Sequence, residues 1–375
     1  MRLLLWYWGR RGAGGQLTLA LAEALARRPD AAPALSLSRQ ADLLAETTAL
    51  GLPTDAVDTY NSAAGFVLNL PRAPFLARRL VAQARAHRAD AVVSVMSHLW
   101  TALAAPALRR ADIPFVPLVH DAARHPGDPG LWWDWRLDRE LDAASAAIAL
   151  SGAVEAALRA RRPRLPVARL PLGAHLPASS LRAAAPTGTA GDFLFFGRVR
   201  AYKGLDLLRD AFRLIHERRP EARLRVVGEG DIEAAAPGLS SLDGVRVEPR
   251  WVAEPDIPPL LAGAGALVLP YREASQSGVV SLAHALGVPV VATPVGGLAE
   301  QVTDGVDGAL AAAAEPGALA DAMARLCDPA ERDRLAAGAR RTGRALADWD
   351  AQAAALLDAL RGAGIGGQRR RSGLG

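Results

Sequence analysis

One lysine stands among forty-three arginines in this chain of 375 residues, and its neighbours are residue types that bind phosphate. Lys203 follows a short apolar run, and Arg198 lies five residues before it. A compact ammonium and a planar guanidinium both suit phosphate oxygens. A solubilising cation on a solvated helix face is the alternative interpretation of Lys203. This segment is therefore a candidate phosphate site.

A second segment in the C-terminal half of the chain could supply backbone hydrogen-bond donors to that phosphate. Residues 269–280 lead from an apolar run into a helical pattern, which places the amides of Ser277, Gly278 and Val279 at a helix start. A phosphate there would face Arg198 and Lys203. Two cations and the positive end of a helix together neutralise a pyrophosphate.

A glycine-rich loop joins the first apolar run to the first helical pattern. Gly14 and Gly15 would let backbone amides approach an anion at the positive end of that helix. Their spacing matches neither a Walker loop nor a dinucleotide fingerprint. The alternative interpretation is that these glycines only allow the tight backbone turn from strand to helix and bind no ligand.

A histidine and an aspartate follow the run at residues 115–119. His120 would stand at the carboxyl edge of a parallel sheet, where such sheets bind ligands. An imidazole there could hydrogen-bond a substrate or shuttle protons, and Asp121 could orient it or bind a hydroxyl. A histidine that satisfies loop carbonyls is the alternative. His98 is a weaker candidate of the same kind, and we interpret it as structural.

A fold must hold these residues in place, and the sequence pattern that predicts such a fold occurs twice along the chain. Short Val, Leu and Ile runs alternate with longer helical stretches, which is typical of βαβ units and parallel sheets. We predict an α/β fold of two parallel-sheet domains. The predicted strands are residues 3–8, 91–96, 115–120 and 147–150 in the first domain, and 193–196, 223–227, 245–248, 266–269 and 290–293 in the second.

Composition shifts give the domain limits. A stretch rich in Pro, Ala, Ser and Gly separates the halves, and an amphipathic helix precedes a basic, glycine-rich end. The predicted parts are a first domain (1–172), a linker (173–192), a second domain (193–345), a closing helix (346–362) and a disordered basic tail (363–375).

Charge and cysteine content narrow the function classes. The net charge of +5 and the pI near 10.0 suit an anionic ligand or surface, and charge alone leaves nucleic acid open. Cys327 is the sole cysteine, which excludes a disulfide framework and a thiolate metal cluster. We expect a cytoplasmic bacterial protein. Residues 75–88 form a basic amphipathic pattern that could lie on anionic lipid, although an ordinary core-facing helix is favoured.

Taken together, the motifs resemble the retaining GT-B glycosyltransferases of family 4, which take sugars from nucleotide diphosphate donors. The resemblance covers nearly the whole chain. It implies GT-B architecture, with two Rossmann-like domains facing across a cleft and the closing helix crossing back to the first domain. The segments that carry it are the glycine loop, the His120-Asp121 pair, residues 197–204, 227–230 and 273–297, and Trp349.

For the donor, the resemblance implies that Arg198 and Lys203 bind the diphosphate, assisted by the backbone at residues 277–279. The leaving diphosphate is expected to assist attack on its own face, so no enzymic nucleophile is needed. The protein would stabilise diphosphate charge and exclude water. We expect neither a metal nor a cofactor, with the nucleotide sugar as co-substrate.

For the reacting sugar, the resemblance implies that Glu273 faces it and that His120, beside Asp121, lies next to it in the cleft. Gly14 and Gly15 would close on the donor from the other domain.

The chain departs from the family in one carboxylate. Family members usually carry two glutamates separated by seven residues. Counting from Glu273 reaches Ser281 instead, and anchoring on Gly278 or Pro289 reaches Ala283 or Leu282. The second glutamate holds the donor ribose in relatives. The departure leaves the identity of the nucleotide open.

We therefore expect a retaining glycosyltransferase that moves a sugar from a UDP or GDP donor to a saccharide or lipid-linked acceptor. Polysaccharide or cell-envelope biosynthesis is the expected setting, with peripheral contact at the inner membrane face and no nucleic-acid partner. The alternatives are a nucleotide-sugar-binding protein without transferase activity and a nucleotide-sugar epimerase. A nicotinamide dehydrogenase is disfavoured because the cation pair would be unexplained.

Overall fold

The computed structural model describes residues 1–10, 12–123, 130–174, 176 and 187–366. The chain divides into two compact units, which are Met1–Pro171 with Asp348–Gly375, and Leu172–Ala347. Most of the expected linker, and the expected tail from residue 367 onward, lie outside the described residues.

The first unit is built on a parallel sheet of seven strands within the described ranges, in the order β3-β2-β1-β4-β5-β6-β7. Its strands are β1 (Arg2–Tyr7), β2 (Ala32–Ser38), β3 (Thr54–Val57), β4 (Ala91–Val95), β5 (Phe115–Val119), β6 (Ala147–Ala149) and β7 (Val167–Arg169). Its first seven helices are α1 (Ala13–Ala26), α2 (Leu44–Ala49), α3 (Ala63–Asn69), α4 (Ala73–Ala86), α5 (Thr101–Arg110), α6 (Gly130–Ala143) and α7 (Gly152–Arg161).

The second unit carries a parallel sheet of six strands among its described residues, in the order β10-β9-β8-β11-β12-β13. Its strands are β8 (Asp192–Phe196), β9 (Arg223–Val227), β10 (Val245–Glu248), β11 (Ala266–Leu269), β12 (Val290–Ala292) and β13 (Gly308–Leu310). Its helices are α8 (Leu205–Arg218), α9 (Ile232–Ala235), α10 (Ile257–Ala262), α11 (Gly278–Ala285), α12 (Leu298–Gln301), α13 (Pro316–Arg325) and α14 (Pro329–Leu346).

The predicted fold class is confirmed. The central strands are buried throughout, as in β4 and β5, because helices cover both faces of a parallel sheet. The apolar runs of the sequence are these buried strands. Parallel order also brings the carboxyl ends of all strands of one sheet to the same edge, where the candidate site residues follow their strands.

The last helix, α15 (Trp349–Gly362), belongs to the first unit. Arg27 pairs with Asp350 at 2.8 Å, and Arg361 pairs with Asp30 at the same distance. These ion pairs are exposed and contribute little, because water and salt screen them. The buried Leu356, Leu357 and Leu360 therefore supply most of the attachment.

The basic amphipathic segment forms α4, and its apolar stripe packs into the core. Leu76 and Leu80 are buried, whereas Phe75 is exposed at the start of the helix. The stripe therefore belongs to an ordinary core-facing helix. Across the described ranges, every helix is too short or too polar to span a bilayer.

Candidate active site

The lysine side chain lies at the carboxyl ends of two neighbouring strands, β8 and β11. Lys203 Nζ donates a 2.9 Å hydrogen bond to the hydroxyl of Tyr271 and lies 4.7 Å from the centre of that ring. A methyl group at Gly197 would come within 2.8 Å of Nζ, so the ammonium packs against the backbone that leaves β8. Among the described residues Lys203 has no carboxylate partner. Its charge is therefore available to an anion.

The turn that carries the lysine is fixed by a glycine and by two hydrogen bonds. Gly204 has a left-handed φ of 65°, and a Cβ there would lie 2.0 Å from the carbonyl oxygen of Pro270. The Arg272 amide donates to the Tyr202 carbonyl at 2.7 Å, and its guanidinium pairs with Asp206 at 2.7 Å. The loop after β8 and the loop after β11 thus support each other.

Arg198 supplies a second cation in the same loop. Its side chain is exposed and has no hydrogen-bond or ion-pair partner within the described ranges. The following backbone is held in place, because the Val199 amide donates to the Glu229 carbonyl at 2.9 Å. The loop is therefore fixed while the guanidinium remains free to bind an oxyanion.

The start of α11 offers two of the three predicted amides. The Ser277 amide already donates to Oε1 of Gln301 at 2.7 Å, and the Gln301 side-chain amide donates back to the Ser277 carbonyl at 3.1 Å. Gly278 and Val279 belong to the first turn, where the amides have no acceptor within the helix. An anion at this helix start would bind those two amides.

The two positions of the glutamate pattern lie in contrasting surroundings. Glu273 is exposed, and no hydrogen bond or ion pair joins it to a described residue. Ser281 is buried, and its hydroxyl donates to the carbonyl of Leu172 at 2.8 Å. A carboxylate at position 281 would meet that carbonyl oxygen away from water, which is unfavourable. The packing of α11 therefore matches serine and disfavours the family glutamate.

The predicted catalytic histidine follows β5 in the first unit. His120 Nδ1 lies 3.0 Å from Oδ2 of Asp121, and both side chains are partly exposed. A carboxylate at that distance holds the imidazole ring and favours the tautomer with the proton on Nδ1. The pair thus has the geometry of an oriented general base or hydrogen-bond acceptor.

The glycine loop packs around a tyrosine. A Cβ at Gly14 would lie 2.4 Å from the Tyr7 ring, so the start of α1 can approach β1 only with glycine there. Burial raises the pKa of the Tyr7 phenol well above its usual range, and a hydrogen bond from the Gly15 amide opposes that rise. Both glycines are buried. In this structure they serve the strand-to-helix turn, and their contact with a donor stays a prediction.

A polar cluster of Ser97, His98 and Glu140 lies beyond the end of β4, and of its members only His98 was singled out from the sequence. Met96, which follows β4, has a left-handed φ of 62°, an unusual backbone state at the start of this cluster. The Ser97 hydroxyl donates to Oε2 of Glu140 at 2.5 Å. Within the described ranges, Glu140 Oε1 and both His98 ring nitrogens lack hydrogen-bond partners. The sequence pattern of α6 carries one sign of the buried acid, because Glu140 interrupts the apolar face formed by Trp133, Leu137 and Leu141.

Burial shifts the ionisation of both groups in this cluster. It raises the pKa of Glu140 to about 7, against the opposing effects of Arg136 and Ser97. Burial, followed by the nearby charge of Arg136, lowers the pKa of His98 to about 3. His98 is therefore a neutral core residue at physiological pH, in line with its structural interpretation.

Asp348 and Asp350 form an Asp-x-Asp pair, a spacing at which two carboxylates could bind a metal ion. Asp348 caps α15 by accepting a 2.9 Å hydrogen bond from the Ala351 amide, and Asp350 forms the ion pair with Arg27. Both carboxylates thus have structural partners.

Family comparisons match both units. A sequence model described as "Glycosyl transferases group 1" matches residues 190–328, and one described as "Glycosyltransferase Family 4" matches residues 14–176. A D-inositol 3-phosphate glycosyltransferase of Xylanimonas cellulosilytica is 38% identical over 174 residues, which cover 44% of this chain. This chain spans about two fifths of the length of the curated relatives that it matches.

Solved structures agree over nearly the whole chain. Anabaena HepE in complex with UDP and glucose has a TM-score of 0.72 at 19% identity, covering 96% of this chain and all of that one. Sucrose-phosphate synthase from Thermosynechococcus elongatus has a TM-score of 0.72 at 20% identity, covering 96% of this chain and 98% of that one. At these identities the similarity establishes the fold alone.

Proposed function

Because the chain belongs to the group 1 glycosyltransferases of the GT-B fold, we propose that it transfers a sugar from a nucleoside diphosphate sugar to a hydroxyl acceptor. The observation that carries the proposal is Lys203, whose ammonium has a tyrosine hydroxyl as its hydrogen-bond partner and no carboxylate among the described residues. It lies at a sheet edge in the loop that also carries Arg198, which pairs with no carboxylate in the described part of the chain. Such an arrangement suits a diphosphate leaving group.

The proposed reaction retains configuration at the anomeric carbon. The bond from that carbon to the β-phosphate oxygen breaks, and the acceptor oxygen bonds to the same face. The bonding electrons leave with the oxygen, so negative charge builds on the diphosphate in the transition state, and the departing phosphate then accepts the acceptor proton. Lys203, Arg198 and the amides of Gly278 and Val279 stabilise that charge. The proposal includes no metal, so activity in excess EDTA is expected to persist.

We assign the remaining predicted residues to the sugar. The exposed Glu273 would accept hydrogen bonds from sugar hydroxyls, and Nε2 of His120, held by Asp121, would accept a hydrogen bond from a hydroxyl of the transferred sugar. The donor is a UDP or GDP sugar. Proposed acceptors are saccharides or lipid-linked saccharides of bacterial envelope assembly. The relatives named D-inositol 3-phosphate glycosyltransferases add a phosphorylated cyclitol to the acceptors worth testing.

We also propose a peripheral contact with anionic membrane through an exposed apolar patch, which consists of Val67, Leu68 and Phe75. Leu68 is 79% exposed, and the other two side chains are also more than half exposed. Arg72 and Arg78 are exposed beside the patch in sequence. Apolar insertion flanked by cations is typical of peripheral binding. Sedimentation with vesicles of phosphatidylglycerol should fall when Leu68 and Phe75 are both replaced by serine, and unchanged sedimentation would contradict the contact.

Calorimetric titration with UDP, GDP, uridine and guanosine tests the donor site. Lys203→Ala should weaken binding of the diphosphate by roughly 10- to 100-fold, because hydrogen bonds to charged groups contribute about 1.5–3 kcal/mol. Nucleoside binding should be nearly unchanged. Arg213→Ala is the matched control, since it removes one exposed cation from the same unit. Equal losses for nucleoside and diphosphate would contradict the assignment.

A further inference from the structure

Two exposed indoles form a stack on the first turns of α6. Trp132 is 46% exposed and Trp135 is 36% exposed. Their ring centres are 4.9 Å apart, and the ring planes are inclined by only 23°. Exposed tryptophans are costly in water, since each leaves a large apolar face hydrated. Contiguous exposed apolar surface of this kind is typical of a binding site.

An arginine extends this stack and fixes it to the scaffold. The guanidinium of Arg139 lies 5.3 Å from the Trp135 ring centre, within the range of a cation–π contact. Its Nε also donates to the carbonyl of Ala102 at 3.2 Å. The indole stack, defined as Trp132, Trp135 and Arg139, therefore follows one face of α6 with Trp132 as its outermost member. A held aromatic ring loses little conformational entropy when a ligand binds.

The indole stack lies on the sheet edge that carries the candidate catalytic residues. Helix α6 connects the parallel strands β5 and β6, so it must start at their carboxyl ends and run back along the sheet. His120 follows β5 at that same edge. Ala102, the anchor of Arg139, is the second residue of α5, which follows β4. The first turns of α6 thus lie near the acceptor-side chemistry of this unit.

The chemistry of the stack indicates an uncharged ring as its occupant. Arg139 already contacts Trp135 and a carbonyl oxygen. Among the other described cations around α6, Arg136 lies 5.9 Å from the Trp133 ring centre and acts on the buried Glu140. Arg161 is paired with Asp138 at 2.8 Å and Asp134 at 3.1 Å. A nucleic acid or an anionic lipid would need free cations here. A pyranose needs none, because its axial C–H bonds form an apolar face that packs on the electron-rich face of an indole.

We propose that Trp132 is the stacking surface for a pyranose ring of the acceptor, with Trp135 and Arg139 holding its ring in place. This inference rests on the proposed glycosyl transfer and specifies its acceptor side. Trp132 contacts the sugar, and Trp135 acts through Trp132 as a positioning residue. The acceptor should therefore carry at least one saccharide ring.

Saturation-transfer NMR with methyl β-D-glucopyranoside and cellobiose tests the platform in the absence of any donor. The wild type should transfer saturation most strongly to the axial protons at C1, C3 and C5, which share one face of the ring. Glycerol, which has no ring, should show no such transfer. Trp132→Ala should weaken saccharide binding by on the order of tenfold, the equivalent of one aromatic contact. Trp135→Phe, which keeps a ring in the stack, should retain most of the affinity.

Controls distinguish saccharide binding by Trp132 from the proposed membrane contact and from the proposed donor site. Trp251→Ala is the matched control, because Trp251 is 55% exposed and lies in the other unit. Circular dichroism and the thermal midpoint check that the first unit of each variant is folded. Absence of saccharide binding by the wild type, or equal binding by Trp132→Ala, would overturn the platform. A loss of vesicle sedimentation without a loss of saccharide binding would assign the stack to a membrane and overturn it too. Failure of donor cleavage alone would instead contradict the proposed function.

Discussion

Glu140 places an acid in the core of the first unit, and its replacement by glutamine gives a stability change that depends on pH. The side chain is fully buried and accepts a hydrogen bond from Ser97. Burial raises the pKa of Glu140 from 4.5 to about 7. Glutamine keeps the shape and an oxygen acceptor for the Ser97 hydroxyl, but it cannot ionise. The variant therefore isolates the free-energy cost of the buried charge.

The sign of the effect follows from proton binding in the two states. Below pH 4.5 the acid is protonated whether folded or unfolded, and its ionisation costs nothing. As pH rises from 4.5 through 7, the unfolded chain releases this proton more readily than the folded one, so the free energy of unfolding falls. A difference of about 2.5 pH units at about 1.4 kcal/mol per unit gives a loss of about 3 kcal/mol above pH 7.

His98 contributes the opposite slope. Its pKa falls from 6.5 to about 3 on folding, so the unfolded chain binds the proton more readily as pH drops below 6.5. Stability from this group is complete above pH 6.5 and is lost as pH falls toward 3. The two slopes oppose each other between pH 4.5 and 6.5. Glu140→Gln removes the effect of Glu140 and leaves that of His98. The variant should be more stable than wild type by about 3 kcal/mol at pH 8.5, and nearly equal to it at pH 4.

Urea denaturation followed by tryptophan fluorescence measures this difference. Seven of the eight tryptophans lie in the first unit, so the signal reports its unfolding. Glu155→Gln is the control, because Glu155 forms a surface pair with Arg159 and should change stability by less than about 1 kcal/mol. An equal stability change at pH 4 and 8.5 for Glu140→Gln would refute the reasoning.

Three further predictions concern the site. His120→Ala should lower turnover by roughly 2- to 10-fold and leave UDP affinity nearly intact, because one hydrogen bond to the transferred sugar contributes about 0.5–1.5 kcal/mol. Unchanged kcat in a steady-state assay would contradict its role. Gly204→Ala should lower the thermal midpoint, because the new Cβ meets the Pro270 carbonyl and φ is positive, at a cost of about 1–3 kcal/mol. Ser281→Glu should likewise destabilise the protein in calorimetry, since the carboxylate is buried against Leu172. A gain in nucleotide affinity by that variant would contradict this account.

The parts of the fold that could be predicted are those where burial controls the sequence pattern. Central strands such as β4 and β5 are continuous apolar runs, since both faces are covered. Strand β2 was not predicted, because Pro33 near its start and two serines break the run. Strands β3 and β7 lie at the sheet edges and are partly polar. Strand β13 has only three residues and begins with glycine.

The candidate site likewise has features that the sequence could predict and features that it could not. The sequence could single out Lys203 and His120 because rare residue types follow apolar runs. It could not show that Tyr271, 68 residues away, receives the lysine hydrogen bond. It could not show that the Gln301 side chain already occupies the Ser277 amide. Such contacts depend on tertiary packing between loops, for which local sequence carries no pattern.

Cleavage of donor sugars is the most direct test of the central claim that Lys203 serves a diphosphate leaving group. Purified protein should release one nucleotide from a panel of UDP- and GDP-sugars, with saccharide, lipid-linked saccharide and inositol phosphate acceptors supplied in turn. Lys203→Ala should abolish the release, whereas Arg213→Ala should not. Undiminished release by Lys203→Ala, or no release from any donor with any acceptor, would contradict the account.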